Sequence, residues 1–275
     1  NYSSGSGTVA LRYDYTILSG HNSSDLDYAS ENSLALNSGT IRDQSGNDAV
    51  LTLPSPGSSG SLSESKNIVI DTTNPSMTIS SSTVSSGSRT NDTSISLTFD
   101  SSEPTSNFIV TDIIVTNGSL TDFTPVDSST YTATFTPTTD GLTTINVPSN
   151  KFTDGASNSN LSADQFSWTF DSTSPTLTSV AAADATYKVD DNIDITVTFS
   201  EAVTKTGTPT LALSNGGTAT YLSGDGNTAL VFRYTVAEGH ADSTDLSVSS
   251  ITATLADSAG NSFAGTVSGD LGAVI

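Results

Sequence analysis

The sequence predicts an all-β protein of tandem sandwich modules, and three observations predict it. Short runs of alternating polar and apolar residues recur roughly every eight to twelve residues along the chain, with no convincing amphipathic helix between them. Ser, Thr, Asn, Asp and Gly fill the gaps, as the turns of a many-stranded protein require. Residues 1–21 (NYSSGSGTVALRYDYTILSGH) and residues 220–240 (TYLSGDGNTALVFRYTVAEGH) are versions of one another and align without a gap. Tyr2 matches Tyr221, Gly5 and Gly7 match Gly224 and Gly226, Tyr15 matches Tyr234, and His21 matches His240. A repeat defines the folding unit, so the chain is an array of modules. Arrays serve as spacers or binding stalks more often than as enzymes.

The last module carries the clearest strands. Residues 192–199 (NIDITVTF), 228–236 (TALVFRYTV) and 247–255 (SVSSITATL) alternate at period two, which buries one set of side chains and leaves the other in water. Gly/Asn-rich segments at 214–217 and 223–227 suit tight hairpins. Strands are expected at 176–183, 192–199, 208–213, 217–222, 228–236, 247–255 and 264–274. Seven antiparallel strands in about 100 residues is the size of a Greek-key, immunoglobulin-like sandwich. The middle module is expected to place strands at 94–99, 108–115, 130–135, 142–147 and 164–170. Phe166, Trp168 and Phe170 share one face of the last of these, so the only tryptophan reads as core.

One phrase marks the boundaries twice. Residues 68–75 (IVIDTTNP) and 169–175 (TFDSTSP) each run an apolar strand into Asp, a Ser/Thr pair, one more residue and Pro. Proline stops ladder pairing and stiffens a very short linker, so adjacent modules touch end to end. The chain divides into 1–71, the C-terminal part of a module, then 72–171 and 172–275. Aligned with the last module, the first lacks everything equivalent to residues 174–219, about four strands. Val274-Ile275 matches Val69-Ile70. Residues 1–71 cannot close a sandwich alone and are expected to expose an apolar face and open edges. With Asn at position 1 and no visible signal peptide, one reading is an excised piece of something longer. The other is completion by strands of a neighbouring copy, linking subunits into a fibre.

Composition narrows the function. The 29 acidic residues against 8 basic ones give a net charge of −21, which argues against nucleic acid and anionic membrane surfaces as partners. No segment approaches the roughly eighteen apolar residues of a membrane span, so no insertion is expected. Cysteine is absent, leaving metal ions or interdomain packing as staples. No catalytic residue is expected. One histidine per outer module supports no Ser–His–Asp arrangement, and Gly-rich turns lack the strand–loop–helix context of phosphate loops. Paired acids for glycoside hydrolysis find neither cleft insertions nor an aromatic platform here. His21 and His240 each follow Gly, and the repeated pair reads either as a contact to the next module or as a retained turn feature. Tyr2, Tyr13, Tyr15 and their counterparts sit in strands and read as core.

The phrases Phe199-Ser200-Glu201, DSAGN (257–261), DQSGN (43–47) and the linker DTTNP resemble tandem bacterial Ig-like domains, and residues 108–137 are especially close to one such type. The outer modules resemble related repeats of large bacterial and cyanobacterial surface proteins. The resemblance covers nearly the whole chain. It implies a non-catalytic, extracellular or cell-surface stalk, as in giant adhesins, surface layers or filaments, often with calcium at the junctions. The implied partners are neighbouring modules of the same or another copy. In the alternative reading as a binding module, the partner is a glycan or another cell-surface ligand.

Topology turns this into a constellation. If the first strand runs from the N-terminal pole, the loops after the second and sixth strands return to that pole. In the last module those loops carry Glu201 and the 257–261 turn, and the preceding module ends there with Asp171. Asp171, Glu201 and Asp257 are therefore expected to converge, and by the same reasoning Asp71, Glu103 and Asp154. Three packed carboxylates repel unless a cation sits among them. All-oxygen ligands without His or Cys point to Ca²⁺, which takes six to eight oxygens at ~2.3–2.6 Å. The competing reading makes them solvated turn formers. The middle module departs from the DxxGN pattern with Asp154-Gly155-Ala156-Ser157-Asn158, which makes its site the less regular one.

Overall fold

The computed structural model describes residues 1–273; the match at Val274-Ile275 lies outside the described residues. The first 71 residues form little regular structure. β1 (Tyr2–Ser4) pairs antiparallel with β2 (Arg12–Tyr13), Tyr2 opposite Tyr13. One helical turn, α1 (Leu62–Ser65), starts where the Ser61 hydroxyl accepts a hydrogen bond from the Glu64 amide at 3.2 Å. A single turn leaves no amphipathic period to read in the sequence. Tyr2, Tyr13 and Tyr15 are exposed, not core as expected. Tyr2 and Tyr13 lie in a two-stranded ribbon and Tyr15 outside any strand, and no sheet among the described residues faces the ribbon, so alternation alone cannot bury them.

The middle module is a sandwich of two four-stranded sheets. Its strands are β3 (Met77–Ser81), β4 (Arg89–Thr90), β5 (Ile95–Ser101), β6 (Ile114–Thr116), β7 (Gly118–Pro125), β8 (Thr130–Pro137), β9 (Gly141–Asn146) and β10 (Phe166–Phe170). One sheet runs β3-β5-β8-β7 and the other β4-β10-β9-β6, with β4 parallel to β10 and the remaining pairs antiparallel. Ile95, Leu97 and Phe99 point inward from β5 at period two, and Phe135 meets Trp168 edge-on with centroids 5.1 Å apart. Trp168 is core, as the sequence implies.

Two segments differ from expectation. The apolar run at 108–115 is not a strand throughout. Val110–Asp112 is a 3₁₀ turn, in which the Asp112 carboxylate accepts from the Ile109 amide at 2.9 Å. Phe108 and Ile113 are the residues it buries, a spacing of neither helix nor strand. Conversely, β7 hid from period-two counting because a bulge between Thr121 and Thr124 puts its inward residues, Leu120 and Phe123, three apart.

The last module comprises β11 (Leu177–Ala181), β12 (Asn192–Leu213), β13 (Thr218–Ser223), β14 (Asn227–Thr235), β15 (Leu246–Ala256) and β16 (Gly269–Ala273). The expected strands at 192–199 and 208–213 are the two halves of β12. Its first half pairs with β11 and β14, its second with β13 and β15. Irregularities between Thr198 and Val203 and between Thr206 and Thr210 let it exchange one set of partner strands for the other without ending. Ile193, Ile195, Val197, Leu230, Phe232 and Tyr234 fill a core separate from that of the middle module.

Both linkers are held by the module before them. The Ser172 amide donates to Asp140 Oδ1 at 2.7 Å, and the Thr72 amide to Asn22 Oδ1 at 2.7 Å. Pro75 and Pro175 are buried at the start of the following module.

Candidate metal centres at the module junctions

Each junction is built from an Asx-type turn. In the last module Asp257 Oδ1 accepts from the Ala259 and Asn261 amides at 2.8 Å each, and Oδ2 accepts from Asn261 Nδ2 at 2.8 Å. Asp154 makes the same three bonds, at 2.8, 2.9 and 2.9 Å, with Ala156 and Asn158. Asp43 makes them with Ser45 and Asn47 at 2.8, 2.9 and 2.8 Å. The irregular middle sequence thus reaches the regular geometry. Its departure is that Ser157 (φ 73°) occupies the left-handed position filled by Gly46 (φ 86°) and Gly260 (φ 99°). A non-glycine residue there costs roughly 1–2 kcal/mol, offset by about 0.5–1 kcal/mol of glycine's chain entropy. Ser157→Gly should therefore stabilise the middle module by about 0.5–1 kcal/mol, read as a rise in its thermal midpoint.

In the Asp154 and Asp257 turns, the Asn at the fifth position also ties neighbouring modules together. Asn261 Nδ2 also donates to the Asp171 carbonyl at 2.8 Å, and Asn158 Nδ2 to the Asp71 carbonyl at 3.2 Å. This presents the linker Asp to the turn. A Glu from the crossing after the second strand completes each group. Glu103 lies just past β5, whereas Glu201 lies inside β12 rather than in a loop.

The structure brings all six candidates together as two trios. In Asp71, Glu103 and Asp154, and again in Asp171, Glu201 and Asp257, one carboxylate oxygen from each residue lies within 4.8 Å of the others. Two oxygens that each sit ~2.4 Å from one ion are at most about 4.8 Å apart, so this spacing suits a shared hard cation. Asp154, Asp171 and Asp257 are buried, and neither Glu is fully exposed. Burial, followed by the neighbouring Asp71 and Asp154, pushes the Glu103 carboxyl above its ordinary range. Burial, followed by Asp257 and Asp171, does the same to Glu201. Burial also works against ionised Asp154, but the Asn158 side chain and the turn amides outweigh it and hold Asp154 low. The turn secures the Asp, and the Glu is left as the uncompensated charge.

The two centres differ in a way that no sequence motif signals. Arg89 Nη1 donates to Asp171 Oδ2 at 2.9 Å, bringing a cation from β4 to the second trio. Asn91 adds contacts from the same edge, its amide to the Ala259 carbonyl at 3.1 Å and its Nδ2 to Asn261 Oδ1 at 3.1 Å. The first trio instead opens into a cleft lined by Val69, Pro104, Gly155 and Ala156. Neither Arg89 nor Asn91 sits in a recognisable motif, and their approach depends on β4 pairing parallel with β10. The DxxGN turns were legible, but the second task of their Asn was not.

Models of the bacterial Ig-like domain match residues 71–170 and residues 171–270. The chain belongs to the bacterial Ig-like domain family. Its two Ig-like domains meet at Asp171, the linker residue of the second trio, and the first trio lies where residues 1–70 meet the first domain. No curated protein matches the chain. Among solved structures, the Escherichia coli adhesin FdeC is 11% identical with a TM-score of 0.37, over 72% of this chain and 62% of that one. Yersinia pseudotuberculosis InvD is 16% identical with a TM-score of 0.31, over 75% of this chain and 58% of that one. The adhesin InvE of the same organism is 16% identical with a TM-score of 0.28, over 72% and 58%. The chain therefore spans less than two thirds of each of these structures. The family matches, not these likenesses, carry the assignment. No helix among the described residues is long and apolar enough to cross a membrane.

Proposed function

We propose that this chain is a stretch of an extracellular, cell-surface stalk with an adhesive or structural role, whose inter-module hinges are stiffened by Ca²⁺ at the two junctions. The observation that carries this reading is the doubled trio: a linker Asp, a crossing Glu and a turn Asp, from separate parts of the chain, meet twice at the same place between modules. Backbone carbonyls and water would supply the remaining ligands of a six- to eight-coordinate ion. With the ion bound, bending a junction breaks coordination bonds, so a flexible chain becomes a rod. Without it, repulsion within each trio favours opening. No reaction is assigned to the carboxylates; they hold modules in register. Small-angle scattering of the full chain with millimolar Ca²⁺ or with chelator tests the proposal. Calcium should lengthen the maximum dimension and sharpen the rod-like signature; identical curves would remove the mechanical role.

The asymmetry between the centres gives a second test. Arg89 already neutralises part of the Asp171 trio, so an entering ion meets a like charge. Arg89→Gln should tighten calcium binding at that junction several-fold and leave the Asp71 junction unchanged. Isothermal titration of the two forms would resolve it.

A further inference from the structure

The linker of the second junction is gripped from both sides, yet the two Ig-like domains also touch one another directly. On the side of the preceding domain, Arg89 Nη1 donates to Asp171 Oδ2 and the Asp171 amide donates to the Thr90 carbonyl at 3.1 Å. Asp140 accepts from the Ser172 amide at 2.7 Å and from the Ser172 hydroxyl at 2.8 Å. On the side of the following domain, Asn261 Nδ2 donates to the Asp171 carbonyl. All of these bonds end on residues 171 and 172, so they fix the linker and leave the sandwiches able to turn about it. Among the described residues, Asn91 alone makes hydrogen bonds that run straight from one domain to the other. Its amide donates to the Ala259 carbonyl and its Nδ2 to Asn261 Oδ1, each at 3.1 Å.

The chemistry of this contact calls for a donor at position 91. Both protons of Asn261 Nδ2 are committed, one to Asp257 Oδ2 and one to the Asp171 carbonyl, each at 2.8 Å. Asn261 therefore has only its acceptor, Oδ1, left to offer, and Asn91 meets it with Nδ2. A Leu of the same shape would leave Oδ1 without that partner, and Asn261 is only 8% exposed, so the loss is not made good by bulk water. The gripped turn is the one that carries Asp257, whose Oδ1 accepts from the Ala259 and Asn261 amides. Asn91 thus bears on the Asp257 carboxylate through the two residues that hold it. We infer that Asn91 is the positioning residue of the second junction: by latching the 257–261 turn to the preceding domain, it sets the angle between the domains and places Asp257 opposite Asp171 before an ion arrives. Linker and latch are two points of attachment, which leave one rotation, about the line joining them. An ion shared by Asp171, Glu201 and Asp257 removes that rotation, and a site already assembled costs less to fill. The angle is set without calcium; the effect on calcium affinity rests on the reading of the trio as its site.

Residual dipolar couplings of the full chain in chelator, which report the orientation of each domain separately, test the latch. Asn91→Ala removes the side-chain bond, and Asn91→Leu removes it while keeping the bulk. In the parent, the two Ig-like domains should align to nearly the same extent. In both variants their alignment magnitudes should diverge several-fold more, with the amide spectrum within each domain otherwise unchanged. In calcium, isothermal titration should show the second centre weakened several-fold by either substitution and the first centre unaffected. An Asn91→Leu chain that keeps the parent's relative alignment would reduce the contact to packing and overturn the inference. So would parent domains that already align independently in chelator, or variants that bind calcium at the second centre as tightly as the parent does. A parent that binds no calcium would instead sink the reading of the trios, while the couplings in chelator still decide the role of Asn91.

Discussion

Calcium in excess should raise the melting temperature of the full chain by about 10–20 °C over the same chain in chelator, with the largest change in residues 71–170. An ion that binds only the folded state at a hundred times its dissociation constant stabilises by about 2.7 kcal/mol. For a domain of about 100 residues, each kcal/mol moves the midpoint by roughly 4–8 °C. The middle module leads because, among the described residues, no basic side chain pairs with its trio, whereas Arg89 pairs with Asp171 in the other. Magnesium at the same concentration should do much less. It demands octahedral geometry at about 2.0–2.1 Å and keeps its waters, whereas calcium accepts several carboxylates in a longer, looser shell. A scan in calcium that overlays the scan in chelator would return the six carboxylates to ordinary turn chemistry.

The pH dependence should reverse between those two conditions. Glu103 and Glu201 are held above the ordinary glutamate value of 4.5 in the folded chain, by burial first and by neighbouring carboxylates second. A carboxyl raised on folding binds its proton more tightly when folded. Its contribution favours the folded state at low pH and is lost as pH rises from about 4.5 through the raised value. In chelator, acidifying from neutrality into that window should therefore stabilise the junctions. In calcium the same protons compete with the ion, so acidification should destabilise. Thermal midpoints against pH, with and without calcium, should have slopes of opposite sign.

How much of this lay open in the sequence depended on how local each cause is. The strands of the last module and the two linkers could be read because period-two burial and a proline stop are properties of a few adjacent residues. The trios could be read because strand order fixes which loops return to one pole, and Asp71, Glu103, Asp154, Asp171, Glu201 and Asp257 then follow from placement alone. The continuity of β12 could not. It rests on irregular pairing with β14 and β15, which are far away in the chain. The 3₁₀ turn at Val110–Asp112 was concealed by an apolar run that looks like a strand, since a single carboxylate cap on Ile109 decides the matter. Arg89 was hidden for a third reason. Exposed basic residues are common, and only the parallel pairing of β4 with β10 shows which carboxylate this one meets.

Asp257→Ala and Glu201→Gln should part company, and the contrast separates a turn from a metal centre. Removing the Asp257 carboxylate strips acceptors from the Ala259 amide, the Asn261 amide and Asn261 Nδ2, all in a buried turn. Hydrogen bonds to a charged group contribute roughly 1.5–3 kcal/mol each, and a buried donor left unpaired adds its own desolvation cost. Losses within one turn are not additive, so about 3–5 kcal/mol is expected, with or without calcium. Asn261 would also lose its hold on the Asp171 carbonyl, loosening the linker. Glu201 anchors no such turn. Neutralising it relieves repulsion from Asp257 and Asp171 while keeping the side chain's shape. Glu201→Gln should therefore melt slightly higher than the parent in chelator and lose most of the calcium response at that junction. A glutamine variant that responds to calcium as the parent does would mean that Glu201 is no ligand, whatever its distance from the two aspartates.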